Sequence, residues 1–320
     1  MKRVLLGGLG GGGDVGLALV LSQLLVGVEV VYASFARCSP GKYEGVRVAG
    51  ALFVPARYHP RDFEWALHTL MPGTPVYRIC VKAAREEVME ALEWLHREYG
   101  PVCSLHADIG GDGLLTGFEE GLGSYTTDTL ARAALVEASS WYGWRSLLAV
   151  GGLQLEGGNR RALRLDEQVA DLLYYKEKGA LLGVVEPPGE AAALARALLN
   201  PGREMVSVML PLYLASLEGR RKAVVARGYS TGVHRIDWWA RYVFLLDNKK
   251  ACMASPLCSA ARVKWLEGLR RWRRPSPAKD YLFALRQAKG NPEKKLRSLI
   301  EALPRLTGLT DICLRPVTSE

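Results

Sequence analysis

Two acidic residues in a glycine-rich stretch are the strongest candidates for chemistry in this sequence. Asp108 and Asp112 belong to the segment Asp108-Ile109-Gly110-Gly111-Asp112-Gly113, directly after the apolar run Val102–Ala107. Two carboxylates on one tight loop repel each other unless a cation, a proton or a polar ligand offsets the repulsion. We expect Asp108 and Asp112 to bind Mg²⁺ or Mn²⁺, or to act as general acid and base. Alternatively, both side chains only hydrogen-bond backbone N–H groups and shape the turn.

A second glycine-rich stretch lies near the N-terminus. Six of the seven residues from Gly7 to Gly13 are glycine, and they follow the apolar run Val4–Leu6. Without Cβ atoms, backbone N–H groups can approach an anion closely, and the positive end of a following helix adds to the attraction. We predict that this loop presents N–H groups to a phosphate or carboxylate, with Asp14 at the rim. The predicted ligand-binding residues are Gly10, Gly11, Gly12, Gly13 and Asp14. An acid in the first turn of a helix is also favourable without a ligand.

Further candidates surround the acidic loop. We predict that Gly110 and Gly111 contact the ligand, that Glu119 joins Asp108 and Asp112 in catalysis, and that Ser124 contributes a hydroxyl. Helix capping by Thr126 or Thr127 explains the polar residues near Asp128 equally well. His106 lies in a predicted strand, where a packed core histidine is the expected role.

The order of apolar runs and amphipathic segments predicts an α/β fold. Strand-like runs alternate with helical patterns along the chain, which is typical of a Rossmann-like, open and mostly parallel sheet with helices on both faces. Three of these runs end in glycine-rich loops, after residues 6, 107 and 150. Ligands bind at the carboxyl ends of parallel strands. The three loops, including Gly151–Gly158 with Glu156, are therefore expected at one edge of the sheet.

The glycine run also fits a dinucleotide fingerprint. Gly8-x-Gly10-x-x-Gly13 has the required spacing, but the fingerprint expects an acid at the end of the next strand. The residues after that strand include Arg37 and no acid. Because Arg37 could meet a 2′-phosphate, an NADP-dependent oxidoreductase remains an alternative. No Walker phosphate-loop motif occurs.

Charge is concentrated near the C-terminus. The 320-residue chain has a net charge of +9, and the segment Arg262–Arg305, with thirteen basic and four acidic residues, accounts for the excess. The break at Pro275-Ser276-Pro277 divides the chain into a main domain, residues 1–274, and a basic helical extension packed on it, residues 275–320. This extension could bind nucleic acid, form a homo-oligomer contact or attract an anionic substrate.

The cysteines and the apolar segments indicate the compartment. Six cysteines are scattered without a C-x-x-C pair, which argues against a zinc ribbon or a disulfide framework and favours a reducing cytosol. No apolar segment is long enough to span a membrane. We therefore expect a cytoplasmic protein without a membrane partner.

Several of these motifs together resemble a largely archaeal family known as domain of unknown function 1152. The matching segments are Gly10–Asp14, Asp108–Asp112, Gly117 with Glu119, Leu122, Ser124 and Asp128, Leu245–Asp247 and Ser255–Leu257. The sequence departs from the family at Tyr125, where a proline is expected, and at Gly228–Thr231. The resemblance implies a Rossmann-like architecture and a shared site, and it implies no named reaction.

The leading functional hypothesis is an enzyme with an acidic, glycine-lined cleft. The substrate would be a phosphorylated or carboxylated metabolite or a nucleotide, bound with Mg²⁺ or Mn²⁺. The reaction stays open among phosphoryl transfer, hydrolysis and lyase chemistry. The alternatives are the NADP-dependent oxidoreductase and a non-catalytic protein that binds a ligand or nucleic acid.

Overall fold

The computed structural model describes residues 1–119, 125–155, 163–225 and 232–315. The strands within these ranges are β1 (Arg3–Gly8), β2 (Glu29–Ala36), β3 (Gly45–Ala49), β4 (Leu52–Pro55), β5 (Val76–Cys80), β6 (Cys103–Ile109), β7 (Arg145–Gly151), β8 (Leu181–Val185), β9 (Lys222–Val225), β10 (Gly232–Arg235) and β11 (Val243–Asp247). The helices are α1 (Gly13–Ser22), α2 (Phe63–Leu70), α3 (Arg85–Tyr99), α4 (Thr126–Tyr142), α5 (Leu165–Glu177), α6 (Ala191–Ala197), α7 (Met209–Leu217), α8 (Asn248–Ala254), α9 (Pro256–Arg270), α10 (Lys279–Lys289), α11 (Pro292–Ala302) and α12 (Thr310–Leu314).

A nine-stranded sheet organises the described part of the chain. Its strand order is β3-β4-β5-β2-β1-β6-β7-β11-β8. The central strands β5, β2, β1, β6 and β7 are parallel, and β1 pairs with β2 on one side and β6 on the other. The two ends of the sheet are antiparallel, since β4 pairs in that sense with β5 and β11 does so with β7 and β8. The predicted Rossmann-like α/β fold with a mostly parallel sheet is confirmed.

Two hydrophobic cores cover the two faces of this sheet. Successive residues of a strand point to opposite faces. In β1, accordingly, Leu5 belongs to the core beneath α3, α4 and α5, whereas Val4 and Leu6 belong to the core beneath α1, α2 and α7. All three side chains are fully buried. The alternation explains why such short apolar runs predicted strands with helices on both sides.

The C-terminal helices continue the first of these cores. In α10, Tyr281, Ala284 and Ala288 are buried on the side that packs against α5, and the basic residues of this helix face outward. A helix of this kind needs only one apolar stripe to pack on its neighbour. The basic C-terminal segment that was predicted to be helical contains α10 and α11.

The cysteines are paired, so the prediction that there would be no disulfide framework is wrong. The bonds join Cys38 to Cys80, Cys103 to Cys313 and Cys252 to Cys258. Neighbouring strands and helices bring together cysteines as far apart as 210 positions, which a search for short motifs does not detect. Disulfides of this kind occur in oxidising compartments and in intracellular proteins of hyperthermophiles.

None of the described helices is both long enough and apolar enough to cross a bilayer.

Candidate functional site

The predicted cleft lies where β1 and β6 end beside each other. A cavity of about 210 Å³ opens there, and its lining includes most of the residues that the sequence predicted. The lining residues are Gly10, Gly11, Gly13, Asp14, Asp108, Ile109, Asp112, Asp128, Ser207, Val208 and Met209. The first two glycine-rich loops therefore share one cavity, as expected for neighbouring parallel strands.

Backbone N–H groups hold Asp14 and Asp108 in place. Asp14 accepts hydrogen bonds from the N–H of Gly10 over 2.9 Å and from that of Ile109 over 3.0 Å, so it ties the first loop to β6. Asp108 accepts from the N–H groups of Gly111 over 3.1 Å and Gly113 over 3.0 Å. Asp108 thus shapes its own loop, as the alternative interpretation of this residue proposed, and Asp14 connects the two loops. The same bonds also fix their orientation toward the cavity.

Three carboxylates converge in this cavity. One oxygen each of Asp14, Asp108 and Asp128 lies within 4.8 Å of the other two. All three side chains are buried, with exposures of 8%, 2% and 4%. Gly10 lies against two of these carboxylates, since a Cβ there would come within 2.7 Å of Asp128 Oδ1 and 2.9 Å of Asp14 Oδ2. The glycine therefore makes room for the cluster.

The electrostatics of the cluster favour a cation or a proton. Burial raises the pKa of Asp108 well above its usual range, and the charges of Asp112, Asp14 and Asp128 raise it further. A buried carboxyl among other acids takes up a proton unless a cation neutralises the group. Asp108 is therefore able to hold a proton or to give it up when a cation binds.

The donor set fits a hard divalent cation. Mg²⁺ and Ca²⁺ prefer carboxylate oxygens, and opposite ligands of an octahedral Mg²⁺ lie about 4.2 Å apart, twice the Mg–O distance. The three carboxylate oxygens lie within 4.8 Å of one another, so the three side chains are near enough to share one ion. Asp128 and Asp14, rather than Asp112, complete the cluster with Asp108.

The glycine loop leaves several backbone donors uncommitted. Gly11 and Gly12 have positive φ angles of 78° and 62°, which a residue with a side chain rarely adopts. Within the described residues, the N–H groups of Gly11, Gly12 and Gly13 donate no hydrogen bond. They lie at the N-terminus of α1, where an anion is favoured. Gly12 does not line the cavity and borders open space.

The other predicted site residues lie elsewhere. Gly110 donates its N–H to Gly151 O over 3.0 Å, and Gly111 donates to Asp108, so both shape the loop. Glu119 is buried and accepts hydrogen bonds from the N–H groups of Thr116 and Gly117, both over 2.8 Å. It does not line the cavity. Ser124 and Glu156 lie outside the described residues.

Glu119 interacts with another buried acid, Asp171. Burial raises the pKa of Asp171 well above its usual range, and the charge of Glu119 raises it further. Glu119 and Asp171 thus form a separate buried acidic pair, away from the three converging aspartates. His106 is a packed core residue, as expected: it is fully buried, and its Nε2 lies 3.0 Å from Ala33 O.

Sequence reasoning named Asp128 only as part of a helix start and of the family resemblance and not as a site residue, and it missed the segment Ser207–Met209. Helix α4 begins at Thr126, so neither Thr126 nor Thr127 is the residue that caps it. The capping position belongs to Tyr125, which makes no side-chain capping hydrogen bond, and Asp128 lies in the first turn. The helix that follows β6 begins at the same edge of the sheet as the glycine loops, and this rule could have identified Asp128. No sequence signal marks Ser207–Met209, which precedes α7 and reaches the cavity through the packing of α7 on α1.

A comparison of the chain with known protein families finds a match. The family described as protein of unknown function (DUF1152) matches residues 61–267, well over half of the chain. The chain belongs to this family. The match includes Asp108, Asp112 and Asp128, whereas the glycine loop and Asp14 precede it. Among curated proteins, nothing matches the chain.

Proposed function

We propose that the chain is an enzyme that binds a divalent cation, Mg²⁺ or Mn²⁺, and acts on a small anionic metabolite in this cleft. The observation that carries the proposal is the convergence of Asp14, Asp108 and Asp128, whose carboxylate oxygens lie within 4.8 Å of one another. Three buried acids at this distance destabilise the fold unless they are neutralised. A bound cation would neutralise the three acids and offset that cost.

The proposed roles follow the geometry of each residue. Asp14, Asp108 and Asp128 would hold the cation, and the backbone N–H groups that bond to Asp14 and Asp108 orient these ligands. A bound cation would supply charge neutralisation and polarise an oxygen of the substrate. Asp112 faces the same cavity and interacts with Asp108, so it is placed to accept or donate a proton.

The glycine loop supplies the proposed anion site. The uncommitted N–H groups of Gly11, Gly12 and Gly13 and the positive end of α1 favour a phosphate or a carboxylate. Metal-dependent enzymes of phosphoryl transfer, hydrolysis and lyase chemistry can each act on an anionic group beside a divalent cation. The proposal therefore extends to this set of reactions and not to one member of it.

The test is Mn²⁺ binding to the purified protein, measured by calorimetry and by the electron paramagnetic resonance signal of free Mn²⁺. We expect the wild type to bind one ion, and Asp108→Asn and Asp128→Asn to weaken binding by at least about tenfold, the effect of losing one charged ligand. Asp166→Asn is the matched control, because Asp166 belongs to a surface ion pair with Arg164. Its affinity for Mn²⁺ should equal that of the wild type.

Two results would overturn the proposal. One is unchanged Mn²⁺ binding in both cluster variants. The other is a wild-type protein whose thermal midpoint rises with NADPH and not with Mn²⁺, which would favour the oxidoreductase alternative based on Arg37.

A further inference from the structure

A larger cavity lies beside the acidic cleft, on the other side of the first turn of α4. Its volume is about 460 Å³, within the range of small-molecule sites. It is lined by Arg37, Ser39, Val81, Lys82, Tyr125, Thr126, Thr127, Leu130, Leu266, Leu269 and Arg270. Thr126 and Thr127 face this cavity while the next residue, Asp128, faces the cleft. The two cavities are therefore adjacent.

The rim of this cavity is basic. Arg37 follows β2, Lys82 follows β5 and Arg270 ends α9, and all three side chains are exposed. Among the described residues, these three side chains form no ion pair with a carboxylate. Three cations from separate elements repel one another, and an anion between them removes that repulsion. Arginine also offers paired donors that match a phosphate.

The floor of the cavity suits an organic group. Val81, Leu130 and Leu269 are buried there, and Leu266 is partly buried. Thr126 and Thr127 also line this cavity, and they precede Asp128 of the acidic cleft in the chain. An apolar floor with a few polar groups and a basic rim fits a phosphorylated organic molecule better than a free inorganic ion.

Two adjacent strand ends hold the basic rim in place. The disulfide Cys38–Cys80 joins the residues next to Arg37 and Val81. The N–H of Lys82 donates to Cys38 O over 3.1 Å, and that of Val81 donates to Ala36 O over 3.1 Å. The backbone beside Arg37 and Lys82 is thus fixed before any ligand arrives, which lowers the entropy cost of binding.

The part of α9 that lines the cavity follows a residue with an unusual backbone conformation. Trp265 has a φ of 49° inside α9, a region that large residues rarely adopt and that is common at functional sites. Its Nε1 donates to Ala83 O over 3.1 Å, which anchors the bend beside the end of β5. Leu266, Leu269 and Arg270, which follow this bend in the chain, line the cavity.

We propose that this cavity is an organic-phosphate site that holds the part of the substrate remote from the acidic cluster. This proposal rests on the proposed function, because it assumes that one substrate occupies both sites. That substrate would be a phosphorylated metabolite about the size of a nucleoside monophosphate. Arg37, Lys82 and Arg270 bind the phosphate, and the apolar floor contacts the sugar or base.

The test uses AMP as the probe, titrated by calorimetry into the full-length protein in excess EDTA. We expect millimolar or tighter binding, with adenosine and inorganic phosphate each binding more weakly than AMP. Arg37→Ala and Arg270→Ala should each weaken AMP binding by about tenfold, the effect of losing one charged hydrogen bond. Arg271→Ala is the matched control, since Arg271 is the next residue and its side chain pairs with Glu267 over 2.8 Å.

The results separate this proposal from the metal proposal. Arg37→Ala and Arg270→Ala should retain Mn²⁺ binding, and Asp108→Asn should retain AMP binding. A wild type that binds neither AMP nor ribose 5-phosphate at millimolar concentration, or variants that keep wild-type AMP affinity, would overturn the organic-phosphate site. Either outcome leaves the Mn²⁺ measurement to decide the acidic cluster independently.

Discussion

The buried histidine of β6 should make the protein lose stability as the pH falls. Burial lowers the pKa of His106 from 6.5 to about 4, because the imidazolium form has no access to solvent, while the hydrogen bond to Ala33 O opposes the shift. The unfolded chain therefore takes up a proton at a higher pH than the folded protein does. The stabilising contribution is complete above pH 6.5 and is lost as the pH falls toward about 4.

The size of this effect follows from the shift. A difference of about 2.5 pKa units corresponds to about 3 kcal/mol of unfolding free energy, of which about 2 kcal/mol is lost by about pH 5. Urea unfolding of the wild type and of His106→Gln at a series of pH values measures this loss of unfolding free energy. The wild type should lose about 2 kcal/mol more than the variant between pH 7 and about pH 5.

The comparison with the variant isolates His106. Asp108 and Asp171 have raised pKa values, so their contributions change in the opposite direction and cancel in the difference between the two proteins. His59→Gln serves as the control, because His59 is exposed. Parallel pH profiles for the wild type and His106→Gln would refute the argument that burial suppresses protonation.

Three further predictions concern packing and cross-links. Gly10→Ala places a Cβ within 2.7 Å of Asp128 Oδ1, so we expect Mn²⁺ affinity measured by calorimetry to fall at least about tenfold. Arg132→Met removes a buried guanidinium that donates to the carbonyl groups of Gly113 and Leu115, and should cost about 3 kcal/mol in urea unfolding. Cys313→Ser opens a disulfide across 210 positions, and should cost about 3 kcal/mol more than Cys258→Ser, whose disulfide spans 6.

Each of these predictions has its own control. Gly41→Ala adds a Cβ with no atom within 4 Å and should leave Mn²⁺ affinity unchanged. Arg262→Met removes an exposed guanidinium and should change stability by less than about 0.5 kcal/mol. Equal destabilisation by the two cysteine variants would show that loop closure in the unfolded chain is not the main effect of the disulfides.

The sequence predicted the parts of the fold that depend on local pattern. The apolar run Val4–Leu6 predicts a strand directly from the sequence, and it lies in β1, where all three side chains are buried. The antiparallel direction of β11 was not predicted, because strand direction depends on pairing between distant residues. Helix α7 was also missed; its Pro211 lies in the first turn, where the missing N–H costs little.

For the candidate site, too, the sequence predicted the residues that belong to local motifs. Asp14, Asp108 and Asp112 belong to two glycine-rich loops, and parallel strands bring such loops together at one edge of a sheet. Asp128 and Arg270 belong to no such glycine-rich loop, and their places at the two cavities depend on how α4 and α9 pack. The pairs Cys38–Cys80 and Cys103–Cys313 belong to the same class, because only the packing of distant strands and helices makes these cysteines neighbours.

By itself, then, the sequence determined the alternation of strands and helices and the two loops that carry Asp14, Asp108 and Asp112. These features depend on residues close together in the chain, whose spacing fixes their side of a strand or helix. Only the tertiary structure decided that Asp128 completes the acidic cluster, that Glu119 lies with Asp171 instead, and that a basic cavity adjoins the cleft. Those contacts join residues far apart in the chain, and they form only when the helices pack on the sheet.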